Sequence, residues 1–415
     1  MIDIKFLREN AEVVQKSSKD KGVEIDVAHI LEIDSKYQEL SSAVQKLREE
    51  RNRLAKERNI EAGKELKNRL EKEEQALKAV EEELKINLLK ISNIPAPDVK
   101  TGKSDQENEV IRKEGEPTKF NFSPKDHLEI GEALDIIDVQ RASKVSGTRF
   151  AYIKGDGVLL EFAIVQFALE TLIKEGFTPV VPPALIKKET MQGLGYMENG
   201  GEEDMFWLDK DGMVLVGTAE QSIVPMHKDE IFAKKDLPKR YVGFSSSFRR
   251  EAGSYGKDTK GILRVHQFDK VEMVSFVTAE DDDKEHEFLL SLEEKLWGQL
   301  GIPYQVVKMV TGDLGFPAAR KYDLEAWMPS QNKYREVTST STTTDFQARR
   351  LNIKYQDDPP AGGEKKFTHI LNGTAFAIGR TIVAILENYQ QEDGSVKVPK
   401  ILQKMVGKTV IKVSK

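Results

Sequence analysis

Two segments in the second half of the chain concentrate charged residues that could bind a phosphorylated ligand. The first covers residues 248–273 and holds three arginines and two glutamates: Arg249, Arg250, Arg264, Glu251 and Glu272. The apolar residues on either side are spaced as in two strands joined by a long loop. Because guanidinium groups can bind phosphate oxygens in pairs, the segment predicts a site for a ligand with several phosphates.

The second segment, residues 371–402, places an arginine at the start of a predicted helix. Gly373 and Gly379 flank a run that ends at Arg380, and an uninterrupted apolar helix pattern follows. A guanidinium in that position can bind phosphate oxygens through two parallel hydrogen bonds. The sequence contains no G-x-x-x-x-G-K-[ST] pattern, so the predicted phosphate site is not a P-loop.

The composition limits the classes of protein that this chain could be. Its 415 residues exceed the usual range of a single domain, so we expect two domains. The absence of cysteine excludes disulfides, thiolate zinc sites and cysteine catalysis, and the six histidines show no metal-ligand spacing. The net charge of -6 argues against indiscriminate nucleic-acid binding but allows a local basic surface.

The longest apolar stretch, residues 157–173, does not have the pattern of a membrane span. Glu161, Gln166 and Glu170 interrupt it, which indicates an amphipathic helix. The N-terminal residues carry charges and lack the apolar core of a signal peptide. We therefore expect a cytoplasmic protein without membrane attachment.

A heptad pattern near the N-terminus predicts a helical hairpin. From residue 30 the apolar positions step by three and four residues, and Arg51 and Arg58 continue the same seam. After a predicted turn at residues 59–63 the pattern restarts, and Pro95 and Pro97 stop the second helix. At about 1.5 Å per residue the first helix would be about 43 Å long, so the hairpin must project from any compact domain.

Basic side chains outnumber acidic ones near the predicted tip of the hairpin, which would attract a phosphate backbone. The candidate RNA-binding residues are Arg48, Arg51, Arg53, Lys56 and Arg58. Taken singly, each of these charges is better explained as keeping an exposed coiled coil in solution. For the hairpin as a whole we favour RNA contact, because a spacer would not require arginines in its apolar seam.

The rest of the chain predicts an α+β domain. Residues 101–119 are polar and read as a linker, and beyond them helical segments alternate with strand-like runs. This order fits a mixed, largely antiparallel sheet flanked by helices. We predict an N-terminal domain at residues 1–105, with its hairpin at about 28–92, and a second domain at residues 106–415.

The two charged segments resemble motifs 2 and 3 of the class II aminoacyl-tRNA synthetases, and they are most similar to the bacterial-type seryl-tRNA synthetases. The resemblance extends to GTAEQ at residues 217–221, to residues 321–350 and to the opening MIDIKFLREN. Residues 176–185, GFTPVVPPAL, resemble motif 1, which builds the dimer interface in the family. The resemblance therefore covers nearly the whole chain.

The resemblance implies an enzyme that joins serine to tRNA. In the family, the serine carboxylate attacks the α-phosphorus of ATP and releases pyrophosphate, and no protein nucleophile is required. Serine then passes from seryl-adenylate to tRNA(Ser), and the family commonly charges tRNA(Sec) as well. The resemblance also implies Mg²⁺ held chiefly by substrate oxygens, and a homodimer whose helical arm contacts a tRNA bound across the subunits.

The roles that the resemblance implies can be assigned residue by residue. The candidate catalytic residues are Arg249, on the α-phosphate and the carboxylate, Arg380, on the γ-phosphate, and Glu336, which would bind the metal together with Ser339. The candidate ATP-binding residues are Arg249, Arg250, Glu251, Arg264, Val265, Phe268, Glu336, Val337, Thr338, Ser339 and Arg380. The candidate L-serine ligands are Thr218, Ala219, Glu220, Arg249, Glu272, Asn372 and Thr374. Glu272 and Thr374 would bind the hydroxyl and so reject alanine, which would leave buried polar groups unpaired.

Several features leave alternatives open. Arg250 stands where the family often has serine, and residues 338–343 are richer in threonine than is usual. Taken singly, Phe268 could belong to the core and Glu336 to a surface ion pair. Two other functions also fit parts of the sequence. One is an amino-acid ligase for a carrier protein, whose relatives lack the basic arm, and the other is an inactive RNA-binding paralogue, which should have lost charged site residues.

Overall fold

The computed structural model describes residues 1–57, 59–252, 260–357 and 363–412. By its contacts the chain forms two compact units, residues 1–94 and 95–415. The sequence predicts a domain boundary after residue 105, and that boundary stays a prediction. Among the described helices, none combines the length and apolar character needed to cross a membrane.

The first unit is helical. Its helices are α1 (Ile4–Glu9), α2 (Ala11–Asp20), α3 (Val27–Lys56) and α4 (Ile60–Leu89). The α1 helix is tied to α3 by Arg8, which donates two hydrogen bonds of 2.6 and 2.8 Å to the buried carboxylate of Asp34. This bidentate ion pair fixes the short helix against the base of the hairpin.

The antiparallel pair α3 and α4 is the predicted helical hairpin. Val44 and Leu47 of α3 pack against Leu66 and Leu70 of α4, as the heptad spacing predicts. The predicted turn at residues 59–63 is wrong, because Asn59 caps the N-terminus of α4 and the helix begins at once at Ile60. The hairpin therefore turns within fewer residues than the sequence suggests.

The second unit combines helices and strands. Its helices are α5 (His127–Ala133), α6 (Val139–Ser146), α7 (Asp156–Lys174), α8 (Lys188–Leu194), α9 (Glu220–Ile223), α10 (Asp282–Leu300), α11 (Phe346–Leu351), α12 (Ile378–Tyr389) and α13 (Gln403–Val406). Its strands are β1 (Glu109–Glu114), β2 (Ile137–Asp138), β3 (Tyr152–Ile153), β4 (Thr178–Val180), β5 (Leu185–Lys187), β6 (Trp207–Leu208), β7 (Met213–Leu215), β8 (Ile231–Ala233), β9 (Lys239–Phe248), β10 (Gln267–Val277), β11 (Tyr304–Lys308), β12 (Arg320–Met328), β13 (Lys333–Thr342), β14 (Lys354–Gln356), β15 (Lys366–Phe367), β16 (His369–Ala377), β17 (Val396–Lys397) and β18 (Val410–Ile411).

Within the described residues, eight strands form the main sheet in the order β1-β11-β12-β13-β16-β10-β9-β4. Every neighbouring pair is antiparallel except β4 and β9, so the predicted largely antiparallel sheet is confirmed. The two charged segments of the sequence meet here. The first segment runs from the end of β9 into β10, and the second forms most of β16 and then α12. Strands β10 and β16 are paired side by side.

The predicted linker at residues 101–119 is partly wrong, because β1 lies within it and forms the edge of the main sheet. All six residues of β1 are exposed and four are charged, so the strand lacks the apolar alternation that marks strands in a sequence. Charged residues on an edge strand also discourage pairing with another chain.

The helices α7, α10 and α12 cover the main sheet and bury its apolar residues. Trp297 of α10 and Phe376 of β16 are fully buried, with their ring centroids 5.7 Å apart. The α7 helix also presents a second, exposed apolar set, in which Leu159, Phe162 and Ile173 are 45%, 59% and 48% exposed. This helix therefore has more apolar surface than its own sheet covers.

Candidate active site

A cavity of about 380 Å³ opens over the middle of the main sheet. Strands β10, β13 and β16 supply its floor, and α12 begins at its rim. Among the described residues, its lining includes five cationic and five carboxylate side chains: Arg249, Arg264, Lys270, Lys321, Arg380, Asp204, Glu220, Glu251, Glu272 and Glu336. Opposite charges are thus close to balanced within one concave site.

One end of the cavity contains a buried cluster of three polar side chains. The Lys270 ammonium lies 2.6 Å from Oε2 of Glu272 and donates a hydrogen bond of 3.2 Å to the Thr374 hydroxyl. That hydroxyl in turn donates to Oε2 of Glu272 at 3.0 Å. The pairing of β10 with β16 places Glu272 directly opposite Thr374, so the sheet register builds the cluster.

Glu220 lies near this cluster and is held by two donors. The Tyr196 hydroxyl donates to its Oε2 at 2.8 Å, and the Gln347 amide donates to its Oε1 at 3.0 Å. Burial raises the pKa of the Glu220 carboxyl, and these two hydrogen bonds oppose the rise. A carboxylate buried in this way is suited to binding a cationic group, because the cation would remove the cost of burying its charge.

The opposite end of the cavity is built around Arg249 and Phe268. The Arg249 guanidinium lies over the Phe268 ring, 5.4 Å from its centroid, and its Nε donates to the Gly217 carbonyl at 3.3 Å. Nearby, Arg264 donates to Oε2 of Glu251 at 2.8 Å. An aromatic ring in the same cavity as two guanidinium groups is suited to a ligand with an aromatic base and phosphates.

Arg380 and Glu336 meet at the rim of the cavity. Nη1 of Arg380 lies 3.1 Å from Oε1 of Glu336, and its Nε donates to the Leu263 carbonyl at 3.4 Å. Partial loss of hydration opposes ionisation of Glu336, whose side chain is 45% exposed, but the positive charges of Arg380, Lys321 and Arg249 outweigh it and lower the pKa of Glu336 to about 2. Glu336 is therefore a carboxylate at neutral pH.

A second acidic group lies behind the rim. Asp323 of β12 stands opposite Ser339 of β13 in the sheet register. Burial raises the pKa of the Asp323 carboxyl to about 7, although Lys321 lies 3.3 Å away and opposes the rise. The cavity carboxylate of Glu336 is therefore ionised at neutral pH, whereas the Asp323 carboxyl buried behind it has a pKa of about 7.

Most of the predicted site residues line this cavity. The structure brings together Thr218, Glu220, Arg249, Glu251, Arg264, Val265, Phe268, Glu272, Glu336, Val337, Thr338, Ser339, Asn372, Thr374 and Arg380. Thr338 contributes mainly its backbone, because its hydroxyl donates to the buried Glu293 of α10 at 2.7 Å. Two predicted residues do not line the cavity: Ala219 is fully buried beside it, and Arg250 is exposed and lies over the Phe206 ring.

Sequence reasoning missed several polar residues that line the cavity, among them Tyr196, Lys270 and Lys321. Lys270 could have been found, because it alternates with Phe268 and Glu272 along one strand and such residues share a face. Tyr196 carries no such signal, because it follows α8 and its partner Glu220 is 24 residues away. Only the fold brings these two residues together.

The candidate RNA-binding residues of the arm are exposed along α3 wherever they are described. Arg48 forms an ion pair of 2.8 Å with Glu74 of α4, and Arg53 has only longer contacts with Glu50 and Glu57, at 3.7 and 3.9 Å. Arg51 is exposed, so its predicted place in the apolar seam is wrong. Lys56 ends α3, and Arg58 lies outside the described residues.

The described residues contain no group of three or more histidine, cysteine, aspartate or glutamate side chains placed to hold a metal ion. The cavity does offer the ionised carboxylate of Glu336 with the Ser339 hydroxyl nearby in the sequence. This set fits a divalent ion that keeps most of its ligands from a phosphate chain and water, as Mg²⁺ does.

Comparisons with known proteins agree on one family. Residues 1–95 match the family model of the seryl-tRNA synthetase N-terminal domain, and residues 206–389 match that of the class II tRNA synthetase core domain (G, H, P, S and T). A serine–tRNA ligase from Rubrobacter xylanophilus is 44% identical, with 99% of each chain covered.

Two solved structures resemble the whole chain. The seryl-tRNA synthetase from Pyrococcus horikoshii, complexed with ATP, superposes with a TM-score of 0.93 at 38% identity and full coverage of both chains. The cytoplasmic serine–tRNA ligase from Naegleria fowleri, in complex with AMP, gives 0.90 at 31% identity, with 100% of this chain and 99% of that one covered. This likeness favours neither a carrier-protein ligase nor an inactive paralogue. The chain therefore belongs to the seryl-tRNA synthetase family, the serine–tRNA ligases among the class II aminoacyl-tRNA synthetases.

Proposed function

We propose that this serine–tRNA ligase activates L-serine with ATP to give seryl-adenylate and pyrophosphate, and then transfers serine to tRNA(Ser). The observation that carries this proposal is the buried cluster of Lys270, Glu272 and Thr374 beside a cavity whose other end is cationic and aromatic. The first end is polar and buried, as the binding of a hydroxyl-bearing amino acid requires. The second end suits a nucleotide.

In this proposal the serine hydroxyl donates to Glu272. The contacts of Glu272 with Lys270 and Thr374 both use Oε2, so Oε1 can accept a hydrogen bond from the substrate. Lys270 holds the carboxylate in place through its contact of 2.6 Å with Oε2. Alanine would leave this oxygen unpaired, at a cost of about 1 to 3 kcal/mol or more.

The serine ammonium would bind Glu220. Its two oxygens are fixed by Tyr196 and Gln347, so the carboxylate is oriented before the substrate arrives. Thr218 lies beside it and accepts a hydrogen bond of 3.4 Å from the Glu220 backbone N–H. A cation that binds here is recognised by charge and position together, and the carboxylate need not reorganise.

The nucleotide would lie along Phe268, with its phosphates reaching the two arginines Arg249 and Arg380. A serine carboxylate oxygen attacks the α-phosphorus, the bond to the bridging oxygen of the β-phosphate breaks, and pyrophosphate leaves with that electron pair. Arg249 lines the same cavity as Glu272 and Thr374, so in this proposal it would bind both the carboxylate and the α-phosphate. Its positive charge stabilises the negative charge that the reaction gathers there.

The proposal includes Mg²⁺ as the divalent ion that accompanies ATP. Glu336 and Ser339 would hold it at the rim, beside Arg380. When bound, the ion would neutralise part of the charge on the pyrophosphate that leaves. Arg380 and Lys321 would share this role from fixed positions in the protein.

The remaining proposals concern partners. The exposed apolar side chains of α7, together with Val181, which is 83% exposed, support a homodimer through this face. The exposed cations Arg48, Arg51, Arg53 and Lys56 support tRNA binding by the arm, with the tRNA bound across the two subunits. Charging of tRNA(Sec) is included by family resemblance alone, and the cytoplasmic location stays a prediction.

The test is pyrophosphate exchange with each common amino acid, followed by tRNA charging with the one that is active. Exchange confined to serine, followed by serylation of tRNA, is the expected result. Exchange with alanine or glycine but not with serine would overturn the roles of Glu272 and Thr374. Exchange without tRNA charging would point to a carrier-protein ligase, and no exchange at all to an inactive paralogue.

A further inference from the structure

The N-terminus of α5 holds the segment that leads into β10. Its capping residue Asp126 accepts a hydrogen bond of 2.8 Å from the Lys260 ammonium. Its first residue, His127, is buried, and its ring Nε2 accepts the backbone N–H of Ile262 at 3.2 Å. Two contacts from one helix end therefore fix residues 260–262.

Gly261 lies between these two contacts and makes them possible. Its φ of +76° is in the left-handed region, and a Cβ built on it would come within 2.0 Å of Nε2 of His127. Any other residue would push the imidazole away from the Ile262 N–H. The close approach of ring and backbone therefore requires glycine at this position.

Glu387 of α12 fixes the orientation of the His127 ring. Because Nε2 accepts a hydrogen bond, the ring proton lies on Nδ1, which faces Oε1 of Glu387 at 3.3 Å. Glu387 is fully buried, and its Oε2 accepts the backbone N–H of Ser330 at 3.1 Å. Neither oxygen of this carboxylate is left without a donor.

This pair of side chains joins the three elements that surround the phosphate end of the cavity. Glu387 shares α12 with Arg380, and Ser330 belongs to the 3₁₀ turn that precedes β13, the strand of Glu336. Ile262 is followed directly by Leu263, whose carbonyl accepts from Arg380 at 3.4 Å. The next residue, Arg264, carries the ion pair with Glu251.

We infer that His127 is a positioning residue for ATP, acting through the backbone of residues 262–264. His127 fixes the Leu263 carbonyl that orients Arg380, and it fixes the backbone from which the Arg264 side chain starts. Glu387 in turn holds the His127 ring in the required tautomer. His127 touches no substrate in this arrangement. The inference rests on the proposed nucleotide site, and it predicts an effect on ATP without an equal effect on serine.

The test compares two replacements of His127 in the full-length enzyme. His127→Met keeps the bulk of the ring but provides no good acceptor, whereas the carboxamide of His127→Gln can accept the Ile262 N–H. We expect the Met variant to raise the KM for ATP about tenfold, the worth of one buried hydrogen bond. The KM for serine should change less than about twofold, and the Gln variant should restore most of the ATP affinity.

A double-mutant cycle separates positioning from general damage to the fold. Gly261→Ala should weaken ATP binding because its Cβ meets the His127 ring. With His127→Ala in the same chain that clash is gone. The loss of ATP affinity in the double variant should therefore be smaller than the product of the losses in the two single variants. Full multiplicativity would overturn the contact between Gly261 and His127 as the cause.

Arg380→Gln serves as the reference for the nucleotide site itself. If Arg380→Gln weakens ATP binding and His127→Met does not, the positioning role is overturned and the site stands. If neither changes the KM for ATP, the nucleotide site and the positioning role both fail. Equal losses for ATP and serine in His127→Met, with a lowered melting temperature, would make His127 a purely structural residue and overturn the inference.

Discussion

The Thr374 hydroxyl offers the sharpest test of how serine is selected. Thr374→Val keeps the shape of the side chain and removes its hydroxyl, which donates to Glu272 at 3.0 Å and accepts from Lys270 at 3.2 Å. The shorter Lys270–Glu272 contact of 2.6 Å remains, so the carboxylate stays paired. The variant should therefore fold while losing one of the contacts that orient Glu272.

The size of the effect follows from the kind of bond that is lost. A hydrogen bond to a charged group contributes about 1.5 to 3 kcal/mol, and we take about 2 kcal/mol because Lys270 still holds Glu272. That free energy corresponds to about a 30-fold loss in kcat/KM for serine. Alanine makes no hydroxyl contact, so kcat/KM for alanine should hardly change. The ratio of kcat/KM for serine to that for alanine should therefore fall by the same factor.

The assay is pyrophosphate exchange with serine and alanine at saturating ATP. Thr368→Val is a matched control, because Thr368 is equally buried but donates to the Ile353 carbonyl outside the cavity. Equal losses for serine and alanine in Thr374→Val would mean that Thr374 shapes the pocket and does not help to read the hydroxyl. An unchanged serine value would refute the cluster as the specificity site.

Three further predictions follow from the charges. Glu336→Gln should raise the Mg²⁺ concentration for half-maximal exchange about tenfold or more, and an unchanged Mg²⁺ titration would rule out the metal role of Glu336. Arg51→Glu combined with Arg53→Glu should lower kcat/KM for tRNA at least about tenfold and leave serine-dependent exchange unchanged, whereas parallel losses in both assays would contradict an RNA-binding arm. Burial lowers the pKa of His286 to about 4, so below the ordinary pKa of histidine the unfolded state binds more protons than the folded state. Acidification from about pH 7 to about pH 5 should therefore lower the free energy of unfolding by about 2 kcal/mol. Urea unfolding of His286→Gln should lack this part of the pH dependence, and an identical slope in both proteins would disprove it.

The sequence predicts the elements that have a strong apolar period. The heptads of α3 and α4 and the apolar run of α7 appear as helices close to the expected bounds, because each buries a continuous stripe. Strand β1 was missed for the opposite reason: an exposed edge strand made of charged residues buries nothing that a pattern could reveal. The sequence does not predict the start of α4 at Ile60, because the capping residue Asn59 determines where the helix begins and the apolar pattern near the turn is weak.

The residues of the candidate site also differ in how well the sequence predicts them. Residues that lie close together in the sequence, such as Arg249 and Glu251, were found from their spacing and from the family resemblance. His127 could not be found, because it lies 135 residues from Ile262 and 260 residues from Glu387. Nothing local marks a histidine whose partners are so distant. Arg250 was placed in the site because of its neighbours, whereas the strand end turns its side chain outward.

The balance of charge in the cavity has a consequence for how the enzyme responds to ionic strength. Five cations and five carboxylates line it among the described residues, and serine itself is a zwitterion, so binding serine displaces few counterions. The arm is different, because the tRNA binding that we propose for it would use exposed basic side chains and would release counterions. Added salt should therefore uncouple the two halves of the reaction: amino-acid activation continues while the tRNA dissociates.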